Sequence, residues 1–231
     1  MILRAALLGL ALAGPGAAEQ ITGARYLDPT DRYAHGILGD AIEYGTLEID
    51  LTGSVTRRFV LPRDHVFEDV APRLWDVTGD GHPEVVVIET DVARGAALAI
   101  YGPFGKITET PHIGRANRWL APIGAADLDG DGAVELAYID RPHLAKVLRV
   151  WRYGEGKLEH VADASGFTNH RIGEGDIAGG LRDCGEGTEM VVATADWEEV
   201  VGLRFDGSRF TRRRLATHEG RQSFEAVRTC G

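Results

Sequence analysis

The chain has 231 residues, of which 44% are hydrophobic and 26% charged, enough apolar side chain to build a core and too much for a disordered polymer. A formal net charge of −10 sets it against nucleic acid or an anionic membrane as its main partner, because both need a basic surface. The 2 cysteines are too few for an all-cysteine zinc site or a disulfide-dense scaffold, and 30 glycines favour tight turns over long helices.

Residues 1–18 read MILRAALLGLALAGPGAA. Arg4 precedes the apolar run Ala5 to Ala13, and Gly16-Ala17-Ala18 supplies small residues before Glu19. This pattern predicts a secretory leader, too short to cross a bilayer, followed by a single domain over 19–231 in the periplasm or outside the cell. No later stretch is long and apolar enough to span a membrane.

Past the leader the chain repeats itself. A weak copy, Ile37 to Glu43, precedes two clear ones, Leu74 to Val87 and Ala125 to Tyr138. A shortened copy follows at Leu181 to Val192, and Val227 to Gly231 resembles the start of another. Their equivalent positions are Asp40, Asp76, Asp127, Asp183 and Thr229, at intervals of 36, 51, 56 and 46 residues. After the acidic loops come the β-rich runs Glu84 to Thr90, Glu135 to Asp140 and Glu189 to Ala195. Glycine- and aspartate-containing turns at 154–156 and 206–208 then separate hairpin-like pairs. Each unit reads as strand, acidic loop, strand, strand, turn, strand, which is the pattern of a propeller blade. The expected fold is all-β, a small β-propeller of four or five blades, with a β-sandwich as the alternative. Phe224 to Arg228 is expected to be an orphan strand, paired by Gln20 to Leu27 from the other end of the chain so that no edge is left open.

The loop Asp127 to Glu135 places oxygen side chains at positions 1, 3, 5 and 9, with glycines at 4 and 6 that let it curl. Asp127, Asp129, Asp131 and Glu135, with the carbonyl of Ala133, form a donor set for a hard cation, and calcium suits it better than magnesium. The first clear copy offers Asp76, Thr78, Asp80, Glu84 and the carbonyl of His82, with one carboxylate replaced by a hydroxyl. The Asp183 copy lacks ligands at the right spacing and is expected to take no metal. An EF-hand is excluded because position 12 is Tyr138 or Val87 and the flanks are strands.

DVTGDGHPE and DLDGDGAVE, each followed by a β-run, resemble the FG-GAP/VCBS repeat, which is related to the blades of integrin alpha-subunit propellers. The resemblance implies calcium in the loop between two blade strands, held at the positions just named. It departs from the family at Thr78, at the shortened Asp183 loop, and in lacking a clear Phe-Gly…Gly-Ala-Pro segment.

Cys184 and Cys230 occupy matching places in successive copies, and an exported chain is expected to join them in a disulfide tying the C-terminal strand to the preceding blade. Signatures of catalysis are missing. The loop DLDGD has Asp131 where a haloacid dehalogenase needs threonine, and neither G-x-S-x-G nor H-E-x-x-H occurs. His35, His65, His112, His160 and His170 have no ligand-spaced partner and read as surface or satisfied histidines. Arg212-Arg213-Arg214 reads as the charge that guards an outer strand. Asp196-Trp197-Glu198-Glu199 is a structural rim segment. The leading expectation is a monomeric, calcium-binding, non-catalytic module for a protein or glycan ligand. The alternative is an exported hydrolase of a glycan or phosphoester at the propeller mouth.

Overall fold

The computed structural model describes residues 19–230, so the expected leader at 1–18 lies outside the described residues. Short apolar runs bounded by glycine and aspartate fold as seventeen strands, followed by one short helix. The strands fall into four successive units. The first holds β1 (Ile21–Thr30), β2 (Glu43–Leu51) and β3 (Val55–Val60). The second holds β4 (His65–Phe67), β5 (Arg73–Trp75), β6 (Glu84–Asp91), β7 (Gly95–Gly102) and β8 (Gly105–Glu109). The third holds β9 (Leu120–Ala126), β10 (Glu135–Asp140), β11 (Val147–Gly154) and β12 (Lys157–Ser165). The fourth holds β13 (Phe167–Thr168), β14 (Gly180–Asp183), β15 (Thr188–Thr194), β16 (Glu199–Phe205) and β17 (Phe210–Thr217), and α1 (Gln222–Arg228) ends the chain.

All strand pairings are antiparallel. β4 bridges the first two units into one eight-stranded sheet, and the other units form sheets of four and five strands. None of these sheets closes on itself. The units repeat in register as well as in order. Trp75 pairs with Glu84, Ala126 with Glu135 and Arg182 with Glu189, and an aspartate follows the first member of each pair. The acidic loops therefore leave and re-enter their sheets at one equivalent place. The turns at 154–156 and 206–208 join β11 to β12 and β16 to β17, as the sequence predicts.

Because side chains alternate across a strand, each middle strand serves two neighbours. Val85 and Val87 of β6 pack with Leu47 and Ile49 of the first unit. Val86 and Ile88 turn the other way, onto Leu136, Tyr138 and Trp151 of the third. Ala137 and Ile139 of β10 in turn meet Met190, Val192, Val201 and Leu203 of the fourth. The sheets thus stack in series, each inner one covered on both faces, unlike a two-layer sandwich. The first strands approach closely: a Cβ on Gly124 of β9 would lie 2.4 Å from Leu181 of β14. Burial falls off outward, and the last strands β8, β12 and β17 are largely exposed.

Three expectations are corrected. Phe224 to Arg228 is helix, not strand: Phe224 and Val227, three residues apart on α1, pack onto Val191, Ala193 and Val200 and cover the outer face of the fourth sheet. With that face covered, Gln20 to Leu27 is not recruited to the C-terminus, and β1 pairs with β2 instead. Ile37 to Glu43 forms no strand before Glu43 and lies in the loop that leads into β2. The Cys184–Cys230 disulfide is formed, with Cα atoms 5.5 Å apart, and it anchors the end of this helix rather than a strand. Among the described residues no helix is long and apolar enough to cross a membrane.

Closing a 46-residue separation is worth about 4 kcal/mol on the chain-entropy account. The double change Cys184→Ser, Cys230→Ser is expected to lower the unfolding free energy by about 2–4 kcal/mol. Phe224→Ala is expected to cost about 3 kcal/mol. Both are read from urea midpoints at unchanged slope, and a midpoint that does not move would show that α1 contributes nothing to covering the sheet.

Candidate metal-binding loops

The loop between β9 and β10 is shaped by its own carboxylates. Gly130 and Gly132 take positive φ, 83° and 91°, which lets the backbone turn its N–H groups inward. Asp127 receives them: Gly130 N–H donates to Oδ1 at 2.7 Å and Gly132 N–H to Oδ2 at 3.0 Å. Asp129 and Asp131 accept from the amides two residues on, at Asp131 and Ala133. Leu128 turns into the core, and its N–H donates to Glu135 Oε2 at 2.9 Å. One oxygen each from Asp127, Asp129 and Glu135 lies within 4.8 Å of the others. Asp131 stands outside this cluster.

Sequence reasoning missed the cation already present. Arg152 of β11 is the register partner of Glu135. Its guanidinium reaches Glu135 Oε1 at 2.6 Å, Asp131 Oδ2 at 2.9 Å and Asp129 Oδ2. The signal was available in principle, since a hairpin fixes which residue lies across from the loop's last carboxylate. Burial pushes the Glu135 carboxyl up, and the bonds from Leu128 and Arg152 offset part of that rise.

The loop between β5 and β6 repeats this backbone without the arginine. Asp76 accepts from Gly79 and Asp80 on Oδ1 and from Gly81 on Oδ2, at 2.8, 3.1 and 2.9 Å. Asp80 accepts from His82 N–H, and Glu84 from Val77 and Thr78. β7, GAALAIYG, carries no arginine, so no guanidinium reaches in from that strand. Asp76, Asp80 and Glu84 do not converge to the 4.8 Å spacing of the other loop. Burial raises the Glu84 carboxyl, and the charges of Asp80 and Asp76 raise it further. The His82 ring is held by Gln20, Nε2 to Nε2 at 2.9 Å.

In the fourth unit Asp183 accepts from Gly185 and Gly187, and arginine replaces the missing acids. Glu189 is paired with Arg182 at 2.7 Å, Arg213 at 2.9 Å and Arg204 at 3.2 Å. Burial would raise Glu189, but these guanidiniums outweigh it and hold the carboxyl low. The run at 212–214 is therefore more than an edge guard. Arg213 serves Glu189, and Arg212 and Arg214 both clamp Glu199.

Two hollows lie elsewhere. A cavity of about 220 Å³ is bordered by His35, Trp119, Arg118, Arg141, His143 and Ile172. His35 Nδ1 bonds Glu68 Oε1 at 2.5 Å, and Thr90 Oγ1 donates to the other Glu68 oxygen at 2.6 Å. His143 Nε2 meets His170 Nδ1 at 3.0 Å, and burial together with His170 lowers the His143 pKa to about 4. His35, half-buried, and His170, buried, are thus satisfied histidines, as read from sequence. His65 and His112 are also partnered, at Asp64 and at the Gly95 carbonyl, and with Asp91 they form a second three-residue cluster with ligand atoms within 4.8 Å. A larger hollow of about 440 Å³ includes Trp197, with the Arg171 guanidinium 4.5 Å over its ring.

These features define an all-β repeat protein whose second, third and fourth units each carry an acidic loop leading into the central strand β6, β10 or β15. Residues 76–138, from the head of one loop to past the end of the next, match the family model described as an FG-GAP-like repeat, and the chain carries that repeat. Comparisons with curated proteins and with solved structures returned no match.

At the start of β2, Glu43 is buried with no cation beside it, and burial, then Glu68, Asp40 and Asp69, push its carboxyl to about 9. A carboxyl raised in the folded state adds stability that is whole below its unfolded pKa near 4.5 and is lost as pH rises through about 9. Glu43→Gln is expected to match the parent melting temperature at pH 4 and exceed it at pH 8. Parallel melting curves across that range would expose the error if the two profiles run together.

Proposed function

We propose that the chain is an exported, monomeric β-propeller, its four units serving as blades, that binds a protein or glycan ligand without catalysis and uses calcium to brace its loops. The observation that carries this reading is the acidic loop repeated in one register, with an all-oxygen cluster at Asp127, Asp129 and Glu135. Oxygen donors alone, several of them charged, suit a hard cation of six or more ligands. Asp131 and the carbonyl of Ala133 would complete the set. In the other loop Asp76, Thr78, Asp80, Glu84 and the carbonyl of His82 would do the same. Calcium supplies positive charge where one carboxylate already hydrogen-bonds two or three amides, and so stiffens the corner between the first two strands. Export rests on the leader-like residues 1–18 and on the disulfide.

Arg152 competes for the same oxygens. Calcium is expected to raise the melting temperature and excess EDTA to reverse the rise. Asp127→Ala is expected to reduce the effect, and Arg152→Gln to tighten calcium binding by about ten-fold, because one positive charge leaves the loop. Isothermal titration and thermal melts read both, and a melting temperature indifferent to calcium and chelator ends the calcium reading.

A second reading, hydrolysis of a glycan or phosphoester, draws on one observation: His35, bonded to the buried Glu68, borders a cavity that Arg118, Arg141 and His143 also border. Turnover of glycosides or phosphoesters that disappears in His35→Ala at unchanged melting temperature would favour it over pure binding.

A further inference from the structure

Three side chains outside the acidic loops meet where the second unit turns toward the third. His65 opens β4, Asp91 closes β6, and the two are register partners. His112 follows β8 by three residues. One ligand atom from each lies within 4.8 Å of the other two. His65 Nε2 is 3.8 Å from Asp91 Oδ2, and the two imidazole rings stand edge to face with centroids 5.9 Å apart.

Each imidazole is oriented from behind. His112 Nδ1 lies 2.7 Å from the carbonyl oxygen of Gly95. A carbonyl only accepts, so Nδ1 carries the proton, and Nε2 of the neutral ring presents a lone pair. His65 Nδ1 is bonded in the same way to the Asp64 carboxylate at 3.0 Å, which directs its Nε2 toward Asp91. Asp91 is fixed too: Oδ1 accepts from the Ala93 and Arg94 amides at 2.8 and 3.0 Å, and Oδ2 from Arg94 Nε at 2.6 Å. Imidazoles whose second nitrogen is tied to a carbonyl or carboxylate are the outer-shell arrangement of metal-binding histidines.

The decisive feature is an orphan. The His112 side chain is only 6% exposed, and its Nε2 has no hydrogen-bond partner. Glu109 Oε1 is 3.9 Å away, beyond hydrogen-bond range, and the Glu109 carboxylate is bonded to Lys106 at 2.7 Å. A buried nitrogen lone pair without a donor, on a ring packed edge to face with the His65 imidazole, lacks what a cation would supply.

We infer that His65, Asp91 and His112 form a transition-metal site, chemically distinct from the acidic loops, that clamps β4, the end of β6 and the segment after β8. Two nitrogens and one carboxylate oxygen suit zinc(II), whose usual bonds of about 2.0–2.2 Å set neighbouring ligand atoms about 3.4 Å apart, so the 3.8 Å His65–Asp91 edge is close to the needed spacing and the triangle contracts on binding. The same set suits calcium poorly, because calcium takes oxygen only. Glu109 or solvent stands ready for the fourth position.

The test uses the whole protein, stripped of metal and then held in excess calcium so that the acidic loops are not the variable. Zinc is titrated by calorimetry, and cobalt(II) is added to a second sample to read its visible absorption. The expected result is one equivalent of zinc, a higher melting temperature, and a cobalt spectrum showing nitrogen ligation. His112→Gln is expected to weaken zinc binding by at least about ten-fold, and the more exposed His65→Gln to do likewise, so that a misfolded His112 variant leaves the question answerable. Asp127→Ala is expected to bind zinc as the parent does. Absence of zinc uptake by the parent, or uptake unchanged in His65→Gln, overturns the site. So does a Glu109→Gln variant that loses as much stability as His112→Gln in metal-free protein, because His112 would then be the partner of Glu109.

Discussion

Glu84, Glu135 and Glu189 each stand where an acidic loop returns to its sheet, and each is almost fully buried. The position is structural: from there Glu84 and Glu135 reach back to accept the N–H of the residue that turns into the core, Val77 or Leu128. An ionised carboxylate so placed costs several kcal/mol unless something positive shares the burial. The fourth unit supplies three guanidiniums and can shorten its loop, since nothing else need fit inside it. The third supplies one arginine, spread over three carboxylates. The second supplies none, and its glutamate carries a raised pKa. The loop is shortened only in the unit that supplies three arginines; the two longer loops have one arginine or none. Arginine solves this electrostatic problem in the fourth unit, and the long glycine-bearing loops occur where arginine is scarce.

The stacking of sheets follows from the same strands. A strand that exits a loop at a buried glutamate and continues with a buried residue at every position has no solvent face to give. It must be covered on both sides, and its neighbours in sequence are the nearest sheets available. That logic leaves the last sheet with one uncovered face. α1 covers it with Phe224, and the disulfide holds the helix end to the loop after β14. A helix of seven residues is too short to be stable alone, so its existence depends on that packing and on the cross-link.

Much of this was legible in the sequence, and the failures share a cause. Repeated Asp-x-x-Gly-Asp-Gly spacing and the β-runs after it report local chemistry, because loop curl and strand exit are decided within about ten residues. The units, their hairpins and the Cys184–Cys230 pairing followed. What sequence could not carry was partner choice across space. Phe224 to Arg228 was assigned by resemblance to an earlier copy, yet its fate was set by an uncovered sheet face. Arg152 lay seventeen residues beyond Glu135 and became visible only through hairpin register. His65 and His112 are forty-seven residues apart, and the crossing of β4 over the end of β6 brings them together.

The first strands show how the units are fixed against one another. β9 runs unbroken, whereas β4 and β5, and likewise β13 and β14, are each a strand interrupted by an excursion. The interruptions carry polar groups inward. Glu68 O accepts Trp119 Nε1–H from the third unit at 2.8 Å, while its carboxylate holds His35 from the loop after β1. Asn169 Nδ2 donates toward Ala121 and Pro122 carbonyls of β9, both at 3.4 Å. Pro122 has no N–H, so this part of β9 is poorer in backbone donors. The loop after β1 closes over the junction, taking Asn117 N–H on Tyr33 OH at 2.6 Å and Gly173 N–H on the Ile37 carbonyl at 3.0 Å. Polar contacts of this kind add little net stability, yet each is satisfied in only one relative placement of the sheets. The hollow beside them is consequently bordered by three units at once, so a ligand entering it would sense their mutual positions and not the surface of any one.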